Sequence, residues 1–122
     1  MKKLFLVFVM LLSGSAWAEW VELNETEDTT FFYDPDTIRK DGNMRRVWRL
    51  QNLKQLNENG VMSRRIRVEY DCKQERFRIL DLTSHSEPMA RGTIVFNDVS
   101  GEWTGIPPRT GAAIMLNLVC SN

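Results

Sequence analysis

From Arg65 to Cys72 the chain alternates without a break. Ile66, Val68, Tyr70 and Cys72 occupy one phase; Arg65, Arg67, Glu69 and Asp71 occupy the other. Successive side chains of an extended chain point to opposite faces, so this stretch predicts a strand with one apolar and one wet face, inside a run from Val61 to Cys72. Met44 to Leu53 follows the same period, with Trp48 and Leu50 in one phase and Arg45, Arg49 and Gln51 in the other. Glu75 to Thr83 carries Phe77 and Ile79 in one phase, after which Leu80 and Leu82 take the apolar role. A change of phase within one strand is what a bulge or bend produces. Shorter runs at Trp20 to Leu23, Thr29 to Tyr33 and Arg91 to Asn97 add further strands. Turn chemistry separates them, at Asp34-Pro35-Asp36, Asp41-Gly42-Asn43, Asn57-Glu58-Asn59-Gly60, Lys73-Gln74 and Asp98-Val99-Ser100-Gly101.

Pro107-Pro108 ends the strand pattern. Behind it Thr110 can cap a helix, and Ala112, Ala113, Met115 and Leu116 carry it through Leu118. That helix is apolar on nearly every side, which predicts burial. It is also the element left to cover the apolar face of the strands. The pattern therefore predicts an α+β domain: an antiparallel meander with one C-terminal helix packed on one face.

The beginning of the chain reads differently. Lys2 and Lys3 precede nine uninterrupted apolar residues, Leu4 to Leu12, and Ala16-Trp17-Ala18 follows a Ser-Gly-Ser break. A basic start, a short apolar run and small residues at −3 and −1 define an export leader, cut after Ala18. Nine helical residues at about 1.5 Å each fall short of a hydrocarbon core of about 30 Å, so no membrane span is expected. Glu19 stands where a lipid-bearing cysteine would follow the cut, so no lipid anchor is expected either. Residues 19–122 then form a single exported domain, periplasmic or secreted.

Charge adds little in bulk and more in distribution. The chain has 16 basic and 16 acidic residues, a balance that points to neither nucleic acid nor another polyanion. Residues 19–41 hold eight acids and two bases, whereas 42–78 hold ten bases and four acids. Cys72 and Cys120 are the two cysteines, an even pair in an oxidising compartment, and a disulfide between them is expected to pin the helix end to the central strand. Closing so long a loop stabilises by roughly 3–4 kcal/mol in the chain-entropy description.

No catalytic constellation emerges, and the domain is expected to be non-enzymatic. His85, the one histidine, lies in the polar stretch Ser84-His85-Ser86 and reads as a loop residue. Neighbours on a strand face opposite ways, so Ser84 and His85 cannot act as a dyad. No metal ligands stand at suitable spacing around His85, and no phosphate loop or cofactor motif is present. Asp34 and Asp36 flank Pro35 as turn formers. Trp20, Trp48 and Trp103 read as core or rim anchors.

The wet face carries the candidate chemistry. Arg45, Arg49, Arg65, Arg67 and Arg78 are expected to share it, with Arg64 and Arg76 nearby. Guanidinium forks match sulfate, phosphate and carboxylate groups, so the stripe suits an anionic glycan or an acidic protein. The plainer reading is a solvated face neutralised by cross-strand pairs with Glu69, Asp71 and Glu75.

A set of short motifs then lines up in order: Trp20, Tyr33-Asp34-Pro35 with Ile38 and Arg39, Val47-Trp48, Ser63 leading to Tyr70-Asp71-Cys72, Trp103 before Ile106-Pro107-Pro108, and Cys120. The set resembles the surface-adhesin protein E family of Gram-negative bacteria over nearly all of residues 19–122. The resemblance implies an antiparallel sheet with a C-terminal helix held by the Cys72–Cys120 pair. It also implies a binding role toward a host extracellular protein. An accessory role in the cell envelope, without host adhesion, is the alternative, and a homodimer is left open.

Overall fold

The structure is a computed structural model that describes residues 19–97, 99 and 101–121. The expected leader, residues 1–18, lies outside the described residues, as do Asp98 and Ser100 of the expected turn at 98–101. In chain order the strands are β1 (Val21–Glu25), β2 (Thr29–Tyr33), β3 (Arg39–Asp41), β4 (Met44–Leu53), β5 (Ser63–Asp71), β6 (Arg76–Glu87), β7 (Arg91–Asn97) and β8 (Thr104–Gly105); the helix α1 (Gly111–Cys120) closes the domain. All pair antiparallel in one sheet of order β1-β2-β4-β5-β6-β7. β3 extends the β2 side of β4, and β8 pairs with the start of β6.

The long middle strands form for the reason their sequences suggest: β-branched and aromatic residues alternate with charged ones, and turn residues bound each run. Gly42, in the expected Asp41-Gly42-Asn43 turn, takes φ +60°, a left-handed conformation that glycine adopts without steric cost. The expected bulge in β6 is present. Arg67 pairs with Asp81 but Val68 pairs with Ile79, which leaves Leu80 as the additional residue.

The core lies between one face of β4–β6 and α1. Val47, Ile66, Val68 and Tyr70 from the sheet meet Ala113, Met115, Leu116 and Val119 from the helix, with Ile106 at the side. Thr110 caps α1, its Oγ1 accepting from the Ala113 N–H at 3.3 Å. The helix runs two residues beyond the expected Leu118, and it is not buried all round, since Gly111, Ile114 and Asn117 face solvent. The Cys72–Cys120 disulfide joins its end to the residue after β5, with Cα atoms 5.7 Å apart.

Register settles which face of β4 is inside, and it reverses the expected phase. Arg45 lies opposite Tyr70, Val47 opposite Val68 and Arg49 opposite Ile66. Directly opposed residues share a face, so Arg45 and Arg49 stand on the helix side, and Trp48 stands on the wet side with Arg65 and Arg67. β4 offers apolar residues in both phases, Val47 in one and Trp48 with Leu50 in the other. Its neighbour β5 is unambiguous and decides between them.

A second correction concerns His85, which is a buried strand residue and not a loop residue. β6 continues through the polar stretch to Glu87, held on one side by β5 and on the other by β7. The 3-10 turn Pro88–Ala90 then folds back over the end of the sheet. Ser63 Oγ donates to the Glu87 carbonyl at 2.6 Å and accepts from the Ala90 N–H at 2.9 Å; Asn52 Oδ1 accepts from the Met89 N–H at 2.8 Å.

A candidate binding face

The outer face of β4–β6 is built row by row from the register. Asp71 pairs with Arg76, Glu69 lies between Arg46 and Arg78, Arg67 lies between Trp48 and Asp81, and Arg65 lies between Leu50 and Thr83. Of the five arginines expected on this face, Arg65, Arg67 and Arg78 are there. Arg46 and Arg76 join them, whereas Arg64 projects to the opposite side, between Gln51 and Ser84.

Two carboxylates organise part of the array. Glu69 and Asp71 are each only 3 % exposed. Glu69 accepts from Arg46 Nε at 3.0 Å and from Arg78 at 2.6 Å. Burial pushes the Glu69 carboxyl up, but the hydrogen bonds and charges of Arg46 and Arg78 together outweigh it and hold the group below its usual value. Asp71 accepts from the Gln74 and Lys73 N–H groups at 3.1 Å and from Arg76 Nε at 3.1 Å. The Gln74 amide leads in lowering its carboxyl, burial opposes, and Arg76 adds to the lowering. The expected cross-strand neutralisation is present at Arg76 and Arg78, and Glu69 also pairs with Arg46, which the expected stripe did not include. Glu75 takes no part in it and occupies the β5–β6 turn at φ +52°.

Two tryptophans complete the face. Arg65 lies 4.0 Å over the Trp48 ring, and Arg76 and Arg78 lie 4.4 and 4.6 Å over Trp103, which arrives from the segment before β8. Such contacts are worth about 0.5–1 kcal/mol each at exposed sites. Arg67 differs: among the described residues it has no hydrogen bond, ion pair or ring contact. Sequence reasoning missed Arg46 and the two aromatic platforms; the register imposed by β5 was the signal that could have found them.

The two arginines that leave this face have structural partners. Arg45 Nε donates to the Val119 carbonyl at 3.2 Å, and its Nη1 donates to the Gly42 and Met44 carbonyls at 2.8 and 2.9 Å. Arg49 Nη1 donates to Tyr70 Oη at 3.1 Å.

Residues suited to reaction chemistry are held otherwise. His85 Nε2 shares a 2.8 Å hydrogen bond with Thr83 Oγ1. Burial, and then the charge of Arg65, lowers its pKa. Ser84 and His85 pair with Arg64 and Ser63 and so face opposite ways. Among the described residues no group of three His, Cys, Asp or Glu is placed to hold a metal ion, and no helix is long and apolar enough to cross a membrane.

The family model of surface-adhesin protein E matches residues 20–121. The chain belongs to the surface-adhesin protein E family. Solved structures of protein E from Haemophilus influenzae share the fold of this family member. Crystal form II is 12% identical with a TM-score of 0.65, over 88% of this chain and 91% of that one. A selenomethionine form is 11% identical with a TM-score of 0.65, over 88% and 90%. Protein E from a non-typeable strain is 12% identical with a TM-score of 0.58, over 89% and 80%. No curated protein matches the chain at the sequence level. The family model ends one residue past Cys120, so it spans both halves of the disulfide.

Proposed function

We propose that this surface-adhesin protein E family member is an exported, non-enzymatic binding domain. Its outer sheet face takes an acidic protein or an anionic glycan. The observation that carries the reading is the concentration of Arg46, Arg65, Arg67, Arg76 and Arg78 with Trp48 and Trp103 on one face. Among the described residues only Glu69 and Asp71 form ion pairs with those cations, and Arg67 has no hydrogen bond, ion pair or ring contact. Guanidinium forks match oxyanions, and Arg65 and Arg67 make no ion pair with a described carboxylate. A heparin column tests it: retention at low salt and elution by a salt gradient are expected, and passage through at low salt rejects anion binding.

A second reading is favoured by β7. This edge strand exposes Ile94 at 57 % and Val95 at 40 %. An unpaired edge invites strand addition by a partner, which suits an accessory module of the cell envelope. Cell fractionation separates the two. Protein at the surface or in the medium supports adhesion, and a pool confined to the periplasm supports envelope work.

A further inference from the structure

Beside the aromatic platforms lies a cleft of about 200 Å³, bordered by Thr37, Arg39, Arg46, Val47, Trp48 and Arg67. We propose that it binds one sugar ring carrying a sulfate or phosphate ester. The proposal rests on the anion-binding reading of the outer face and narrows it to one subsite and one ligand chemistry.

The register supplies the first argument. Arg39 of β3 lies directly opposite Arg46 of β4. Like charges directly opposed in an antiparallel pair destabilise it. Glu69 answers Arg46. Among the described residues Arg39 has only neutral acceptors, its Nη1 donating to the Asp36 carbonyl at 2.9 Å and the Ile38 carbonyl at 3.1 Å. Arg67, opposite Trp48, has no partner among the described residues, and Asp81 across from it on β6 forms no ion pair with it. Three guanidinium groups thus border one small cleft whose described lining holds no carboxylate; Glu69 pairs with Arg46 from beside it, and Asp81 lies across from Arg67 on β6.

The second argument is shape. A sulfate or phosphate ester presents three terminal oxygens in a tetrahedral array, and guanidinium donors approaching from separate strands can take them together. Trp48 provides the apolar wall. Arg65 lies over its ring at 4.0 Å, and Trp48 also borders the cleft. The C–H face of a pyranose matches an indole surface whose π cloud carries partial negative charge.

Rigidity is the third. Thr37 Oγ1 accepts from the Trp48 N–H at 3.0 Å, the Asp34 N–H donates to the Trp48 carbonyl at 3.0 Å, and Thr37 Oγ1 donates to the Asp34 carbonyl at 2.7 Å. The turn that carries Arg39 is thereby fastened to the strand that carries Trp48 and Arg46. A wall fixed before binding leaves less entropy to lose on binding.

The test follows the Trp48 indole N–H resonance of the purified protein during titration. The probes are N-acetylglucosamine 6-sulfate, glucose 6-phosphate and neutral N-acetylglucosamine. A saturable shift with a charged sugar and none with the neutral one is expected, and the tighter of the two esters names the source. Arg67→Gln and Arg39→Ala should each weaken binding about tenfold or more, the loss of a charge-assisted hydrogen bond. Both residues are solvent-accessible, so the variants should fold. No shift with either ester, or an equal shift with inorganic sulfate, overturns the sugar site. Heparin retention with an unresponsive Trp48 overturns the cleft and leaves the broader face standing. A responsive Trp48 in a protein that heparin does not retain overturns the broader face and keeps the cleft.

Discussion

The guanidinium of Arg45, rooted in β4, donates from Nε to the carbonyl of Val119 in the last turn of α1, 3.2 Å away. The final carbonyls of a helix lack intrahelical donors and carry partial negative charge, so a buried cation there satisfies both needs. The same side chain reaches the Gly42 and Met44 carbonyls, which ties the β3–β4 turn to the helix end. Arg45 is 9 % exposed and cannot serve as a surface contact. Arg45→Ala should lower stability to urea by about 2–3 kcal/mol, the cost of losing charged hydrogen bonds in a buried setting. Heparin retention should be unchanged at the same time. Arg67→Ala should do the reverse, weakening retention with a stability change within about 0.5 kcal/mol. Equal losses of retention in the two variants would contradict the assignment of faces.

The clasp at the other end of the sheet offers a separate test. Met89 and Ala90 hold left-handed backbones at φ +61° and +58°, a conformation that costs roughly 1–2 kcal/mol per non-glycine residue. Ser63 and Asn52, directly opposed on β5 and β4, grip that turn through four hydrogen bonds, one of them from Asn52 Nδ2 to Met89 Sδ. Ser63→Ala should destabilise by about 1–3 kcal/mol. Amide exchange at Met89 and Ala90 should accelerate more than exchange in β4. Unchanged exchange there would show that Ser63 does not hold the turn.

Acid should weaken the fold in two steps of the same sign. His85 is buried, and its pKa lies below the usual 6.5, so the unfolded chain takes the proton first. Its contribution is complete above pH 6.5 and is lost as pH falls from there through the folded-state pKa. Glu69 and Asp71 have folded pKa values below their usual 4.5 and 3.8. Their contributions are complete above those values and are lost further down. Urea midpoints measured from pH 8 to pH 3 should show both declines, and His85→Gln should flatten the upper one. An upper decline that survives in that variant would remove His85 as its cause.

Reduction should loosen the helix from the sheet. The Cys72–Cys120 bond spans a sequence separation of 48, for which the chain-entropy description gives roughly 3–4 kcal/mol. The double variant Cys72→Ser/Cys120→Ser should lose that amount, read as a lowered thermal midpoint. The wild-type protein under reductant should match it.

Most of the sheet was legible in the chain because β5 states its two faces without ambiguity, and because Asp41-Gly42-Asn43 and Lys73-Gln74 mark sharp turns. The bulge at Leu80 was legible for the same reason, since one misplaced apolar residue betrays an insertion in a two-residue period. β4 was harder. Val47 argues for one phase and Trp48 with Leu50 for the other, and only the partner strand chooses. That choice moved Arg45 and Arg49 off the candidate face and brought Arg46 onto it. His85 was misplaced because Thr83 to Ser86 has no apolar period to announce a strand. It is flanked by β5 on one side and β7 on the other, and no local apolar period announces either pairing. The Arg39–Arg46 opposition was equally out of reach, because it depends on a three-residue strand too short to leave a periodic trace.

The placement of the disulfide has a mechanical consequence. Cys120 is the last residue of α1, and Cys72 directly follows β5, which is hydrogen-bonded on both flanks by β4 and β6. A pulling force applied at Ser121 passes across the sulfur bridge into the middle of the sheet and bypasses the helix. Detaching the C-terminal end would require shearing β5 from two neighbours at once, so α1 can remain seated while the domain is held under tension.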